Sequence, residues 1–176
     1  MTDTLIRGGT VADAQALAGF AARVFVEAFG ADTHPDDLQR HLASAYGPVQ
    51  QAAELADPDV TTLLATHGGQ LVAYAQLRRN AQPPPCVVHA AAVQLQRFYL
   101  DPALHGNGLA TRLMHRSQLV ARELGGRLLW LTCWERNARA LAFYRKAGFV
   151  EAGVTHFVVG ADRQIDRVLV IALDAE

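Results

Sequence analysis

LDPALHGNGLATRLM, residues 100–114, closes a strand, turns through Gly106-Asn107-Gly108 and runs into a long helix. Asp101-Pro102 stops the strand, because the residue before a proline is held out of the helical region and the ring cannot donate a ladder hydrogen bond. The first N–H groups of the helix that follows have no internal acceptor, and the aligned peptide dipoles add partial positive charge there. Glycines at 106 and 108 let the backbone come close to an anion. The segment therefore reads as a phosphate cradle. No Lys-Ser/Thr pair follows the glycines, which excludes a Walker loop, and the third glycine of a dinucleotide fingerprint is absent.

Working outward, VQLQRFYL (93–100) reads as a strand with partial alternation. Leu109, Leu113, Val120 and Leu124 keep helical spacing up to Gly125-Gly126. RLLWLTCW (127–134) is a buried strand, and Asn137 to Lys146 is a short helix with Gly148 just beyond it. FVEAGVTHFVV (149–159) and DRVLVIAL (166–173) are the last two strands. Upstream, 4–7 reads as a strand, 11–29 as an amphipathic helix closed by Gly30, Pro35 to Tyr46 as a second helix, and 49–56 as a short helical piece ending at Asp57-Pro58. TTLLATH and QLVAYAQLR are strands joined at Gly68-Gly69, a hairpin signal. Residues 80–90, with three consecutive prolines, form a surface connector. Alternation of strands and helices predicts an α/β fold, with a mixed central sheet and helices on its faces.

The chain has 176 residues, 51% of them hydrophobic, and a net charge of −1. That suits one domain over 1–176 and supplies no basic field for nucleic acid or anionic membrane. No apolar run reaches the roughly 18 residues that span a bilayer, and MTDTLIRGG has polar residues where a leader would be apolar, so a cytoplasmic protein is expected. Cys86 and Cys133 are too far apart for a metal knuckle, no HExxH pattern occurs, and no metal is expected. Cys133, inside LLWLTCW, reads as a small core residue.

The combination of His105-Gly-Asn-Gly-Leu-Ala, then Asn137-x-x-Ala-x-x-Phe-Tyr-x-x-x-Gly-Phe, resembles the GNAT superfamily of N-acetyltransferases, and the similarity runs over nearly the whole chain. Trp134-Glu135, His156-Phe157, Gly160, Gln164 and Asp166 look like the bacterial branch that includes spermidine/spermine acetyltransferases. The resemblance implies a twisted, mostly antiparallel sheet of about seven strands with a splayed parallel pair, flanked by about four helices. It implies acetyl-CoA as donor, with its pyrophosphate on the amides of Gly106, Gly108, Leu109, Ala110 and Thr111, beside Asn107. The pantetheine arm would pair with Phe98, Tyr99 and Leu100 in the gap between strands 93–100 and 127–133. Asn137 would touch the cofactor near the thioester. Tyr144 would be the general acid towards the CoA thiolate, and an amide near Leu100 would hold the oxyanion.

Two departures stand out. His105 occupies a position that is usually Gln or Arg. The strand 93–100 carries Gln94 and Gln96 where many relatives place a Glu base, so Glu27, Glu135, His156 and a water chain all stay open as bases. The expected acceptor is a small amine. Glu27, Asp32, Asp36 and Asp37 are the candidates for holding a polyamine, set against an ordinary solvated surface. A protein or peptide acetyltransferase and a non-catalytic CoA-binding sensor module are the alternatives. Homodimers are common among proteins of this resemblance.

Overall fold

The computed structural model describes residues 4–159 and 162–173. Gly160, one of the residues behind the branch resemblance, lies outside them. Seven strands form one sheet in the order β1-β2-β3-β4-β5-β7-β6. They are β1 (Thr4–Gly8), β2 (Val60–His67), β3 (Gln70–Arg78), β4 (Ala92–Leu100), β5 (Leu128–Trp134), β6 (Val150–Val159) and β7 (Asp162–Ala172). Every neighbouring pair is antiparallel except β4 and β5. The helices are α1 (Ala14–Phe29), α2 (Pro35–Ala45), α3 (Pro48–Ala56), α4 (Leu109–Glu123) and α5 (Ala138–Lys146).

Strand alternation divides the core. Leu63, Ala73, Ala75, Leu129, Leu131 and Leu169 face α4 and α5, packing with Leu113, Leu141 and Tyr144. Leu64 and Tyr74 face the other way, onto Leu17, Phe20 and Val24 of α1. A smaller cluster of Val87, Trp130 and Val168 lies under the proline-rich connector. The imperfect alternation of VQLQRFYL has a cause in a bulge. Gln76 pairs with Arg97 and Leu77 with Leu95, so Gln96 is left over. The extra residue resets the alternation of the faces, putting Arg97 and Tyr99 towards α1–α3 and Phe98 and Leu100 towards α4–α5.

Of the boundaries that differ from the sequence expectation, three have a visible local cause. Residues 11–13 are a 3₁₀ turn, and α1 begins at Ala14. The Thr10 N–H donates to the Asp13 carboxylate at 2.8 Å, which caps that turn. Pro48 at the first turn makes 48–56 a helix in its own right, so the described helices number five where about four were expected. β7 starts at Asp162, four residues early, because 162–165 extend the pairing with β6.

Candidate active site

The sheet is split at its centre. β4 and β5 pair only at Ala92↔Leu128, Val93↔Leu129 and Gln94↔Trp130. Beyond Gln94, β4 runs on to Leu100 paired with β3, while β5 runs on to Trp134 paired with β7. Two strand edges thus diverge into a gap. The Asp101 N–H donates to Val72 O at 2.8 Å, so Asp101 addresses β3. Peptide groups alternate along a strand, and the N–H groups of Leu100 and Phe98 therefore point into the gap.

At the wide end of the gap the chain turns through the cradle. Gly106 and Gly108 have φ of +83° and +85°, a region that side chains rarely occupy. A Cβ built at either meets nothing within 4 Å. The glycines are needed for the turn itself, and the space beside them is open. The Leu109 N–H donates to Asn107 Oδ1 at 3.0 Å. That is a change from the expected cradle: one of the five amides is held by a side chain. The Arg112 N–H donates to Gly108 O, the first full helical bond, so Ala110 and Thr111 keep N–H groups without an intrahelical acceptor. An open, amide-lined turn at a helix N-terminus fits a diphosphate.

α5 brings the second half of the site. Asn137 caps it, accepting from the Ala140 N–H at 3.1 Å, which leaves the Asn137 amide nitrogen as a donor. Tyr144 is 8% exposed. Its ring stands edge-on to Phe98 of β4, with centroids 6.3 Å apart, and to Phe149. Burial, with Cys133 of β5 close by, raises the Tyr144 hydroxyl well above its ordinary pKa and keeps it protonated. Tyr144 therefore lies on the α4–α5 face over the gap, against Phe98 of β4 and near Cys133 of β5. Cys133 is buried and its thiol is pushed up to about 12, chiefly by burial, so a reactive thiolate is excluded.

His105 meets Arg139, whose Nη1 lies 3.1 Å from His105 Nδ1. Burial and the Arg139 charge lower the His105 pKa, so its ring is neutral at neutral pH. Arg139 was not anticipated. A cation in the first turn of α5 opposes the helix dipole, and that was the available signal. Of the candidate bases, Glu27 is paired with Arg23 at 3.0 Å and Glu135 with Arg167 at 3.3 Å. His156 is exposed on β6. None of the three is brought to the gap as a free base. Of the proposed polyamine carboxylates, Glu27 and Asp37 are already held by Arg23 and Arg40.

Another carboxylate is placed quite differently. Asp166 of β7 is 7% exposed and lies opposite Trp134 at the open end of β5. Trp134 in turn meets Phe29 of α1, with centroids 5.9 Å apart. Phe25, His41 and Tyr46 continue this aromatic wall. Among the described residues, no three His, Cys, Asp or Glu side chains form a metal group, and no helix is long and apolar enough to cross a membrane.

The family model for the acetyltransferase (GNAT) family matches residues 23–149. An uncharacterized N-acetyltransferase of Mycobacterium tuberculosis is 34% identical over 158 residues, covering 90% of this chain and 96% of its own. The N-alpha-acetyltransferase RimI of the same organism is 34% identical over 156 residues, covering 87% and 84%. The crystal structure of the PaiA N-acetyltransferase from Thermoplasma acidophilum in complex with coenzyme A shares the fold, with a TM-score of 0.74 at 16% identity, covering 97% of this chain and 99% of that one.

Proposed function

Because the chain belongs to the GNAT acetyltransferase family and is an acetyl-CoA-dependent N-acetyltransferase, we propose that it acetylates the primary amine of a small molecule by direct attack on the thioester. The observation that carries this reading is the split between β4 and β5 with Tyr144 over it on the α5 face. The pyrophosphate lies on the amides of Gly106, Gly108, Ala110 and Thr111. Arg139, beside a neutral His105, supplies a cation next to the cradle. The pantetheine arm extends along Phe98–Leu100 as an added strand would. The Leu100 N–H, aimed into the gap, holds the developing oxyanion, and Tyr144 protonates the departing thiolate. Asn137 offers its side-chain nitrogen near the thioester.

A small acceptor is favoured by the aromatic side chains of Phe29 and Trp134, which meet at the end of β5. The aromatic wall of Phe25, Phe29 and Trp134 suits an amine on an apolar carrier better than a polyamine, since two of the four acidic residues are already paired. A second reading, the α-amine of a peptide, is supported by the RimI relative. The test is CoA release with phenethylamine, spermidine and a peptide bearing a free N-terminal alanine. Phenethylamine is expected to turn over fastest. Turnover of the peptide alone replaces the small-molecule reading with the second one.

The cradle has its own test. Gly108→Val forces a β-branched residue to a φ of +85°, a strain of about 1–3 kcal/mol that the turn relieves by moving. Calorimetry should show acetyl-CoA binding weakened by about tenfold or more. An unchanged affinity removes the diphosphate from this turn.

A further inference from the structure

Nothing above supplies the group that receives the acceptor. A primary amine arrives as an ammonium ion and must lose a proton before its nitrogen can attack. β4 carries Gln94 and Gln96 and no carboxylate, and Glu27 and Glu135 are held by arginines.

The placement of Asp166 is unlike that of Glu27 or Glu135, which are paired with arginines. β5 and β7 pair without a break from Leu128↔Ala172 to Trp134↔Asp166. Val168, two residues on, packs with Trp130, whereas Leu169 faces α5 with Leu131 and Cys133. Asp166 therefore shares a face with Trp130, Thr132 and Trp134. This face is opposite to Tyr144, and the aromatic wall of α1 stands over it. A thioester lying in the gap would have Tyr144 on one side of the sheet and, one strand beyond β5, Asp166 on the other. The residue is 7% exposed, yet it is in none of the ion pairs among the described residues. A buried carboxylate without a cation is costly, and it is a natural seat for an incoming one.

We infer that Asp166 binds the ammonium group of the acceptor and takes its first proton. This rests on the amine-acetyltransferase reading above. The Asp166 carboxylate accepts one N–H proton and later passes it to solvent. The neutral nitrogen forms the C–N bond, the C–S bond breaks, and the thiolate takes the Tyr144 proton. The second proton of the nitrogen leaves through water and restores Tyr144. Among the titratable and charged groups on the elements beside Asp166, the Cys133 thiol of β5 feels its charge, Arg167 follows it on β7, His156 follows its β6 partner Thr155, and Arg136 lies over the Trp134 ring opposite it, 5.9 Å from the centroid. Arg167 is occupied by Glu151 and Glu135.

Burial raises the Asp166 carboxyl above its ordinary value of 3.8, and hydrogen bonding by Thr132 restrains the rise. Activity dependent on the ionised form should therefore climb through that raised value as pH increases. The stability sign is the opposite. The folded chain holds this proton more tightly than the unfolded chain, so stability falls as pH rises through the raised value. At neutral pH the ionised group weakens the fold.

The experiment compares wild type, Asp166→Asn and Thr132→Val with the same three amines. For each amine that wild type acetylates, Asp166→Asn should lower kcat/KM about 100-fold and flatten the acid limb of its pH profile. Acetyl-CoA affinity by calorimetry should stay the same, and the variant should melt higher at neutral pH. Thr132→Val should move the acid limb to higher pH. An Asp166→Asn enzyme that matches wild type in rate and profile overturns the inference. So does one slowed by the same factor at every pH, since that is a structural effect. Wild type that binds acetyl-CoA but acetylates none of the three overturns the acceptor reading, and this inference with it.

Discussion

Tyr144→Phe is expected to lower kcat by about 100-fold while acetyl-CoA affinity stays within about twofold of wild type. The first number is the low end of what a positioned general acid contributes. The second follows from the packing. The ring of Tyr144 contacts Phe98, Phe143 and Phe149 with centroids between 5.5 and 6.3 Å apart, and phenylalanine keeps all of these contacts. Only the hydroxyl is removed, and with it the proton. The thiolate must then leave unprotonated or draw on water, and both routes raise the barrier without touching the cradle. Because burial holds the hydroxyl well above its ordinary pKa, wild type should show no alkaline fall from this residue across the neutral range. Release of free CoA, followed by a thiol reagent, gives kcat, and calorimetry gives the affinity. Loss of affinity in step with kcat would make Tyr144 a cofactor-binding residue instead of an acid. An unchanged kcat would remove it from the chemistry.

The parts of this site visible in the sequence are those built from short-range rules. The cradle is legible because a Gly-x-Gly turn feeding an apolar-periodic helix needs only local geometry, and the structure places Gly106 and Gly108 at positive φ. The cap at Asn137 is local in the same way. The gap between β4 and β5 came from the resemblance, since no pattern within either strand encodes where their pairing ends. Three features were illegible for one physical reason: each joins residues far apart in the chain. Arg139 meets His105 across 34 positions. Asp166 looks from sequence like an ordinary polar strand residue, and only the β5–β7 register reveals its burial. Arg97 and Glu54 are separated by 43 positions. The bulge at Gln96 puts Arg97 on the α1–α3 face, where strict alternation from Val93 would have sent it towards α4.

That buried pair sets the largest stability effect. Arg97 and Glu54 have side chains 11% and 6% exposed. Arg97 Nη2 donates to Glu54 Oε1 at 3.2 Å, and Nη1 donates to both Glu54 Oε2 and Gln76 Oε1. Gln76 Nε2 returns to Glu54 Oε2 at 3.1 Å, and Gln50 reaches Glu54 Oε1 at 2.9 Å. The guanidinium also lies 4.9 Å from the centroid of the Tyr46 ring. The network ties α3 and the end of α2 to β4, the strand that lines the gap. Glu54→Gln keeps the shape but removes the counter-charge, and arginine cannot shed its proton to escape. Breaking one side of a buried pair costs about 3–5 kcal/mol, a large share of the roughly 5–15 kcal/mol that holds a domain together. At about 2–4 °C per kcal/mol for a chain of this size, the melting temperature should fall by roughly 6–20 °C. Arg97→Met should cost less, because a lone buried carboxyl can be neutralised by a proton from solvent. The double variant Glu54→Leu with Arg97→Met should recover most of the loss, since charge leaves with charge and apolar volume replaces it. Urea and thermal unfolding of wild type, Glu54→Leu, Arg97→Met and the double variant give the coupling energy directly. Should Glu54→Gln unfold within about 1 kcal/mol of wild type, the pair is not what fastens α3 to β4, and the Tyr46 and Tyr74 packing on α1 must carry that face alone.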